Sequence, residues 1–271
     1  MNFSNLDGLL YLDTITDKSI DLILTDPPYI ISSESGMNNH YNSVLSNENN
    51  GIEFIKSNEE WEQYKNNNGI LDDSKKENYI KYGSIYGKKY AVKTNFGDWD
   101  SNFTIEILEQ FIELFYKKLK KGGTVIIFFD IWKITILKEL LEKYKFKQIR
   151  LIEWVKTNAV PLNSSINYLS NCREIALTAV KGSKPTFNSK YDNGIYNFPI
   201  QSGKNRFHPT QKSLSLFETL IKKHSNEGDN ILDPFVGGGT TVIACNNTNR
   251  NFFGCEISKE YYDKVLEIIS L

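Results

Sequence analysis

No stretch of the 271 residues approaches the ~20 consecutive apolar positions that a membrane-crossing helix requires. The opening segment MNFSNLDGLL lacks the basic start and long apolar core of a secretory leader, so a cytoplasmic location and no membrane partner are expected. Cysteine is scarce. Cys172, Cys245 and Cys255 are odd in number and show no CxxC spacing, which excludes a disulfide framework. Histidine is equally scarce: His40, His208 and His224 form no ligand cluster, and no metal is expected. A positive surplus is also missing. Net charge is −1, so a phosphate-bearing partner would have to be met by locally concentrated cations. What remains, 40% hydrophobic and 24% charged residues, is the balance of a folded globular chain.

Regular structure is legible at both ends and in the middle. Residues 6–15 (LDGLLYLDTI) suit a short helix, and Asp21–Thr25 (DLILT) a buried parallel strand. Thr104–Leu119 carries apolar residues at helical spacing, with Gly122-Gly123 as the expected stop. Thr124–Phe129 is a continuous apolar strand, followed by a helix at 133–144 and strands at 148–155 and 174–180. A helix at 213–224, a strand at 230–232, a glycine-rich turn with a helix through Ala244, a strand at 251–255 and a helix at 259–269 complete the pattern. Strands alternating with helices predict an α/β domain over 1–271, with a mostly parallel sheet and helices on both faces.

Residues 32–95 interrupt that rhythm and read as an insertion on the domain, rich in Asn, Ser, Lys and Tyr. Positions 34–73 hold two lysines against eight acids, whereas 75–95 hold six lysines against Glu77 alone. Tyr79, Tyr82, Tyr86 and Tyr90 interleave with those lysines, a composition suited to phosphate contact and base stacking, or to a solvated loop.

The segment NILDPFVGGGTTVIAC has the order strand, tight loop, helix. Gly237, Gly238 and Gly239 let backbone approach a ligand closely, Thr240 and Thr241 open the helix, and Glu256 ends the next strand where it can hold ribose hydroxyls. Two features disfavour a dinucleotide. The third glycine of the fingerprint is absent, and Asp233 puts a carboxylate where a pyrophosphate would be repelled. A carboxylate suits a cationic ligand, such as a methionine ammonium beside a sulfonium.

The strand DLILT runs straight into Asp26-Pro27-Pro28-Tyr29. Two prolines end the ladder and fix the backbone at its carboxyl end. An exocyclic base amine is a poor nucleophile, because its lone pair is delocalised into the ring. The Asp26 carboxylate and the Pro27 carbonyl can hold its two N–H groups and pull the nitrogen towards tetrahedral geometry. Tyr29 can stack on a base extruded from the duplex.

With these residues in hand, the chain resembles the β group, circularly permuted, of DNA adenine-N6 amino-methyltransferases. There the (D/S/N)PP(Y/F/W) motif precedes the cofactor motif, as Asp26–Tyr29 precedes Asp233–Thr241 here. His208-Pro209-Thr210-Gln211-Lys212 stands where the group carries an HPTQKP-like motif. The likeness covers about 1–31, 96–160 and 205–271. It implies a Rossmann-like, S-adenosylmethionine-dependent fold with one antiparallel strand. It implies cofactor contacts from Asp233, Phe235, Gly237, Gly239, Thr240 and Glu256, with Thr210 and Lys212 near the methionine carboxylate and Asp7 on the adenine amine. Trp154–Asn158 (WVKTN) resembles the lining of the target-base pocket, Phe96–Asp100 (FGDWD) has family counterparts, and Trp99 and Trp154 read equally as core aromatics.

In that family, Asp before PPY accompanies adenine and Ser accompanies cytosine N4. C5-cytosine chemistry needs a thiolate, and none of the cysteines follows the usual proline. Residues 163–207 fall where these enzymes carry sequence recognition. There Arg173, Lys181, Lys184, Lys190, Lys204 and Arg206 face Glu174 and Asp192 alone, the expected phosphate-contacting patch. The expected partner is DNA, double-stranded above single-stranded, with a homodimer and a cognate restriction endonuclease as further partners. An N4-cytosine or RNA amino-methyltransferase, or a catalytically silent cofactor- or DNA-binding protein, are the competing readings.

Overall fold

A computed structural model of the chain describes residues 2–28, 56–83, 85, 103–159, 169–201 and 211–270. The chain folds as two compact units, residues 1–29 with 103–271, and residues 30–102. The larger unit is built on one eight-stranded sheet. Its first elements are β1 (Asn2–Ser4), α1 (Gly8–Thr14) and β2 (Ile20–Thr25). The smaller unit then contributes α2 (Asn58–Asn67) and α3 (Lys76–Tyr82). The larger unit resumes with α4 (Ile105–Lys118), β3 (Leu119–Phe129), α5 (Ile134–Lys143), β4 (Lys147–Lys156), β5 (Arg173–Val180) and β6 (Ile195–Phe198). It closes with α6 (Leu214–His224), β7 (Asn230–Asp233), α7 (Thr240–Asn247), β8 (Asn251–Cys255) and α8 (Lys259–Ile269).

Strand order is β1-β8-β7-β2-β3-β5-β4-β6. Only β5 runs against its neighbours; every other pairing is parallel. The expected Rossmann-like sheet with one reversed strand is what the chain forms. Strands DLILT and TVIIFF lack alternation because both faces are covered. Leu22, Leu24, Ile126 and Phe128 pack with Leu216, Phe217 and Leu220 of α6 and Val242 and Cys245 of α7. The alternate residues Ile23, Val125 and Ile127 are equally buried. The chain's side of that second layer includes α1 against α4 and α4 against α5.

One reading is corrected, and two strands without a stated expectation appear. The short segment before α1 forms β1, paired in parallel with β8. Gly122-Gly123 does not cap α4. The helix ends at Lys118, and the glycines lie inside β3, where Gly122 N donates to Lys181 O (2.8 Å). The strand β6 has no clear sequence signal, since its four residues IYNF follow a run of turn formers.

In residues 30–102 the expected loop contains helices. A capping box of Ser57 and Glu60 starts α2. Trp61 is fully buried and donates from Nε1 to Asp73 Oδ1 (3.0 Å). Tyr79 packs against Trp61 and Tyr64 at ring separations of 5.5 and 4.5 Å, so it serves this small core rather than base stacking. Tyr86, Tyr90 and Lys88–Lys93 lie outside the described residues. Among the described residues, no helix is long and apolar enough to cross a membrane.

Gly254 of β8 is a packing requirement. A Cβ there would lie 2.5 Å from Asp233 O and 2.4 Å from the Phe252 ring. Gly254→Ala is therefore expected to cost about 1–3 kcal/mol, read from the midpoint of urea denaturation, because the neighbouring strand cannot retreat without losing the ladder.

Candidate active site

Strands β2 and β7 are parallel neighbours, with Ile23 opposite Leu232. Their carboxyl ends deliver Asp26 and Asp233 to the same edge of the sheet, where open α/β sheets hold ligands. Thr25 Oγ1 donates to Asp233 Oδ1 at 2.7 Å, and Phe235 N donates to the same oxygen at 3.0 Å. The Thr241 hydroxyl donates to Oδ2. Asp233 thus ties the end of β2, the glycine loop and the first turn of α7 together. Burial pushes its carboxyl up to about 6 against the pull of those hydrogen bonds, and the negative Asp26 nearby adds to the rise.

The loop itself turns on Gly237 (φ +50°) and on Gly239 (φ +76°), which is the N-cap of α7. Gly237 N donates to Glu256 Oε2 and Ser258 N to Oε1, both at 2.8 Å. Glu256 is buried, and desolvation raises its pKa. Phe235 is gripped by Phe111 and Phe103 at centroid distances of 4.6 and 5.7 Å. Asp7 is the N-cap of α1, accepting from Leu9 N (2.9 Å) and Leu10 N (3.2 Å). That helix start presses on the loop: a Cβ on Gly8 would lie 3.3 Å from Pro234 O.

Asp26 is half-buried, Pro27 buried and Pro28 half-buried. Lys212 Nζ lies 2.7 Å from Asp26 Oδ2 and 2.7 Å from Glu174 Oε2. Lys156 Nζ completes the run at 2.6 Å from Glu174 Oε1. Burial would raise the Glu174 carboxyl, but the two lysine cations overcome it and hold it below the usual range. Lys212, expected at a methionine carboxylate, is instead engaged by two protein carboxylates. A cleft joins these parts. Asp26, Gln211, Lys212, Phe235, Gly237 and Thr240 are on its wall. Glu256 and Asp7 are not among its lining residues. Tyr29 and Thr210 lie outside the described residues, as do Trp99 and the rest of FGDWD.

Other candidates are not brought together. Trp154 is a core side chain, 1% exposed, with Nε1 donating to Phe198 O at 2.8 Å. Asn158 accepts from Ile200 N at 2.6 Å, so WVKTN knits β4 to the segment after β6. The cations of 163–207 do not form one patch. Because β5 is reversed, Arg173 starts at the cleft edge, where it pairs with Glu153 at 3.2 Å, and Lys181 falls at the opposite edge. Lys181 Nζ donates to Leu119 O (2.7 Å) and stands 4.8 Å from the Tyr116 ring centre. Asn188, near Lys184 and Lys190, is tied to the end of α6 through Lys223 O (2.7 Å) and Ser225 O (2.8 Å). Lys204 and Arg206 lie outside the described residues. Lys181→Ala is accordingly expected to lower stability by about 1 kcal/mol while DNA affinity and its salt dependence stay unchanged, as filter binding at two salt concentrations would show.

Glu174 is the residue that sequence reasoning passed over, and Lys156 entered it only as a member of WVKTN. Both look like ordinary polar ends of apolar strands, and only the pairing of β4 with β5, Trp154 opposite Glu174, sets them side by side.

Comparison with known proteins fits this geometry. The family model described as DNA methylase, for N6 and N4 methyltransferases, matches residues 20–267. The chain is 30% identical to the Type II methyltransferase M2.MboI of Moraxella bovis, covering 97% of this chain and 85% of that protein. It is 28% identical to M2.DpnII of Streptococcus pneumoniae, covering 94% and 84%. The structure superposes on that of an M1.HpyAVI–SAM complex with a TM-score of 0.63 at 25% identity, covering 100% of this chain and 99% of the other. The cytosine-N4-specific PvuII DNA methyltransferase shares the fold, with a TM-score of 0.62 at 15% identity over 100% and 92% of the two chains.

Proposed function

Since the chain belongs to the N6/N4 DNA methylase family, we propose that it methylates adenine N6 at a specific DNA site, using S-adenosylmethionine, in a restriction-modification setting. One observation carries this reading: Asp26 and the Gly237–Thr241 loop line the same cleft, although most of the chain separates them. The described residues suit the cofactor. Among the described residues, Asp233 Oδ2 accepts the Thr241 hydroxyl and keeps capacity for a cationic amine, and Glu256, which accepts from Gly237 N and Ser258 N, keeps capacity for hydroxyl groups. The glycine loop admits close approach of backbone to ligand.

Bound S-adenosylmethionine supplies an electrophilic methyl group on a positively charged sulfur. The protein's part is to hold the nucleophile. Asp26 and the Pro27 carbonyl accept the two N–H groups of the extruded base, which localises the nitrogen lone pair. Tyr29, next in the chain, offers a stacking face. Phe235, packed from behind by Phe103 and Phe111, forms an apolar wall beside the loop. Alignment of the amine in a site with little water supplies much of the acceleration. Asp26 takes up the proton released as the amine is methylated, and Lys212 beside it orients that carboxylate.

Base recognition is proposed for the connections that leave and re-enter the sheet at the cleft edge. The β4–β5 connection (157–172) does so, as does the β6–α6 connection (199–213). This is a narrower region than 163–207, and 181–192 drops out of it. Residues 30–102 are proposed as a DNA-contacting arm. A homodimer, a companion endonuclease and a cytoplasmic location belong to the same proposal.

The test is expression in a host free of DNA methylation, followed by mapping of modified bases. N6-methyladenine at one recurring sequence is expected. N4-methylcytosine, or unmodified DNA with methylated RNA, would overturn the assignment of the target.

A further inference from the structure

Four ionic side chains form a line that reaches the cleft wall at Lys212 and Asp26: Lys156, Glu174, Lys212 and Asp26, with successive N–O separations of 2.6, 2.7 and 2.7 Å. They come from four different places: the end of β4, the start of β5, the segment before α6 and the residue after β2. All four are shielded, with side chains 7% exposed for Lys212, 16% for Lys156, 19% for Asp26 and 21% for Glu174. Removing such a cation from water is costly, and one carboxylate partner at a half-buried site leaves that cost largely uncompensated. Two carboxylates on one ammonium satisfy it.

We propose that Glu174 is a positioning residue for the methyl-transfer step. It shares Lys212 with Asp26, so that Asp26 is oriented without being locked into a single tight ion pair. The proposal rests on the functional reading above and deepens it. Glu174 does not touch the base. It acts through Lys212, and Lys156 holds Glu174 in turn. The reach of Lys212 is fixed at its other end as well, because the Thr240 hydroxyl at the head of α7 lies 3.5 Å from Lys212 O. Cofactor loop and catalytic carboxylate are thus set against the same lysine.

There is a second consequence of where the chain of charges starts and ends. Lys156 and Arg173-Glu174 flank the β4–β5 connection, and Lys212 ends the β6–α6 connection. Both connections were assigned above to base recognition. A displacement of either one moves a charge that bears on Asp26.

The experiment compares wild type, Glu174→Gln, Lys156→Met, Lys212→Met and the double variant Glu174→Gln/Lys212→Met on a DNA duplex carrying the mapped sequence. Single-turnover methyl transfer, cofactor dissociation constant and the KM for DNA are measured for each. Misplacing a reacting group by an ångström costs about 10²-fold, so Glu174→Gln is expected to slow the transfer step about 10- to 100-fold with both affinities within about threefold. Lys156→Met, at the outer end, is expected to slow it about 3- to 10-fold. The double variant should be no slower than Lys212→Met alone, since Glu174 works only through that lysine. A purely structural Glu174 would give additive losses, or losses in affinity rather than rate, and either overturns the proposal. So does an unchanged transfer rate in both Glu174→Gln and Lys156→Met. If Glu174→Gln fails to fold, the Lys156→Met and Lys212→Met arms decide alone by the same rate criterion. Failure of the wild type to methylate any adenine in DNA would instead sink the functional reading, and is seen before any variant is compared.

Discussion

Asp26→Ala is expected to lower the single-turnover rate of methyl transfer by about 10²- to 10³-fold or more, the scale on which removal of one preorganised polar group acts in other enzymes. Cofactor affinity should remain within about threefold of wild type, a small effect compared with any lost charge-assisted contact. The separation of the two effects comes from the site's construction. Asp26 shares the cleft wall with the cofactor loop, whereas Asp233 and Glu256 accept the hydrogen bonds that tie the loop to its strands. The variant also leaves Lys212 with a partner, because Glu174 stands 2.7 Å away on its other side. The buried cation is therefore not orphaned, and the protein should fold. Calorimetric titration of the cofactor beside rapid-quench kinetics would check the claim. Equal loss of binding and rate would show that Asp26 holds the cofactor, contrary to the division of labour proposed.

The second large effect belongs to Asp233. Its replacement by asparagine keeps an acceptor for Thr25 and Phe235 N but removes the charge that would meet the cofactor's ammonium. Cofactor affinity is expected to fall about 100-fold, the worth of a charge-assisted contact in a buried site. Stability should move the other way. The carboxyl is raised from 3.8 to about 6 in the folded chain, chiefly by burial. A raised folded pKa means that the native state holds its proton more tightly than the unfolded state. The resulting stabilisation is present below 3.8 and is lost as pH rises through about 6. At neutral pH the ionised, buried Asp233 therefore costs the ligand-free protein on the order of 3 kcal/mol, from 2.2 pH units at 1.36 kcal/mol each. Asp233→Asn should recover part of that in a denaturant titration at pH 7.5 and none at pH 3.5. In the wild type, cofactor binding should weaken about tenfold per unit as pH falls below 6, and in Asp233→Asn that dependence should vanish. A pH-independent affinity in the wild type would show that Asp233 does not carry the ammonium.

Local grammar explains what the sequence disclosed. DLILT-DPPY and ILDPFVGGGTT each hold their chemistry within a few residues of a strand end, so burial, turn and functional group are read from one window. The parallel sheet follows from the same runs. What stayed hidden depends on pairing across the sheet. Glu174 opens a strand much as any polar residue might, and its value appears only when the antiparallel register sets it beside Trp154 and within reach of Lys156 and Lys212. The same reversal removes Lys181 from the cleft edge. Charge counted along the chain treated 163–207 as one surface, and the sheet sends its members to opposite edges. Trp154 was ambiguous for a related reason. An indole at a strand end suits a pocket or a core, and here the acceptor at Phe198 O settles it as core. In residues 30–102 a polar composition masked two short helices whose hold is three aromatic rings, too few to create a visible period.

The hydrogen bond from Thr25 to Asp233 spans 208 positions of sequence. A ribosome adding about 5–20 residues each second would need roughly 10–40 s to supply the second partner after the first has emerged. Until then β2 has no β7 to lie against, and β1 has no β8. On the proposed reading, a polypeptide released before β7 carries Asp26 without the glycine loop, and is expected to be inert rather than half-active.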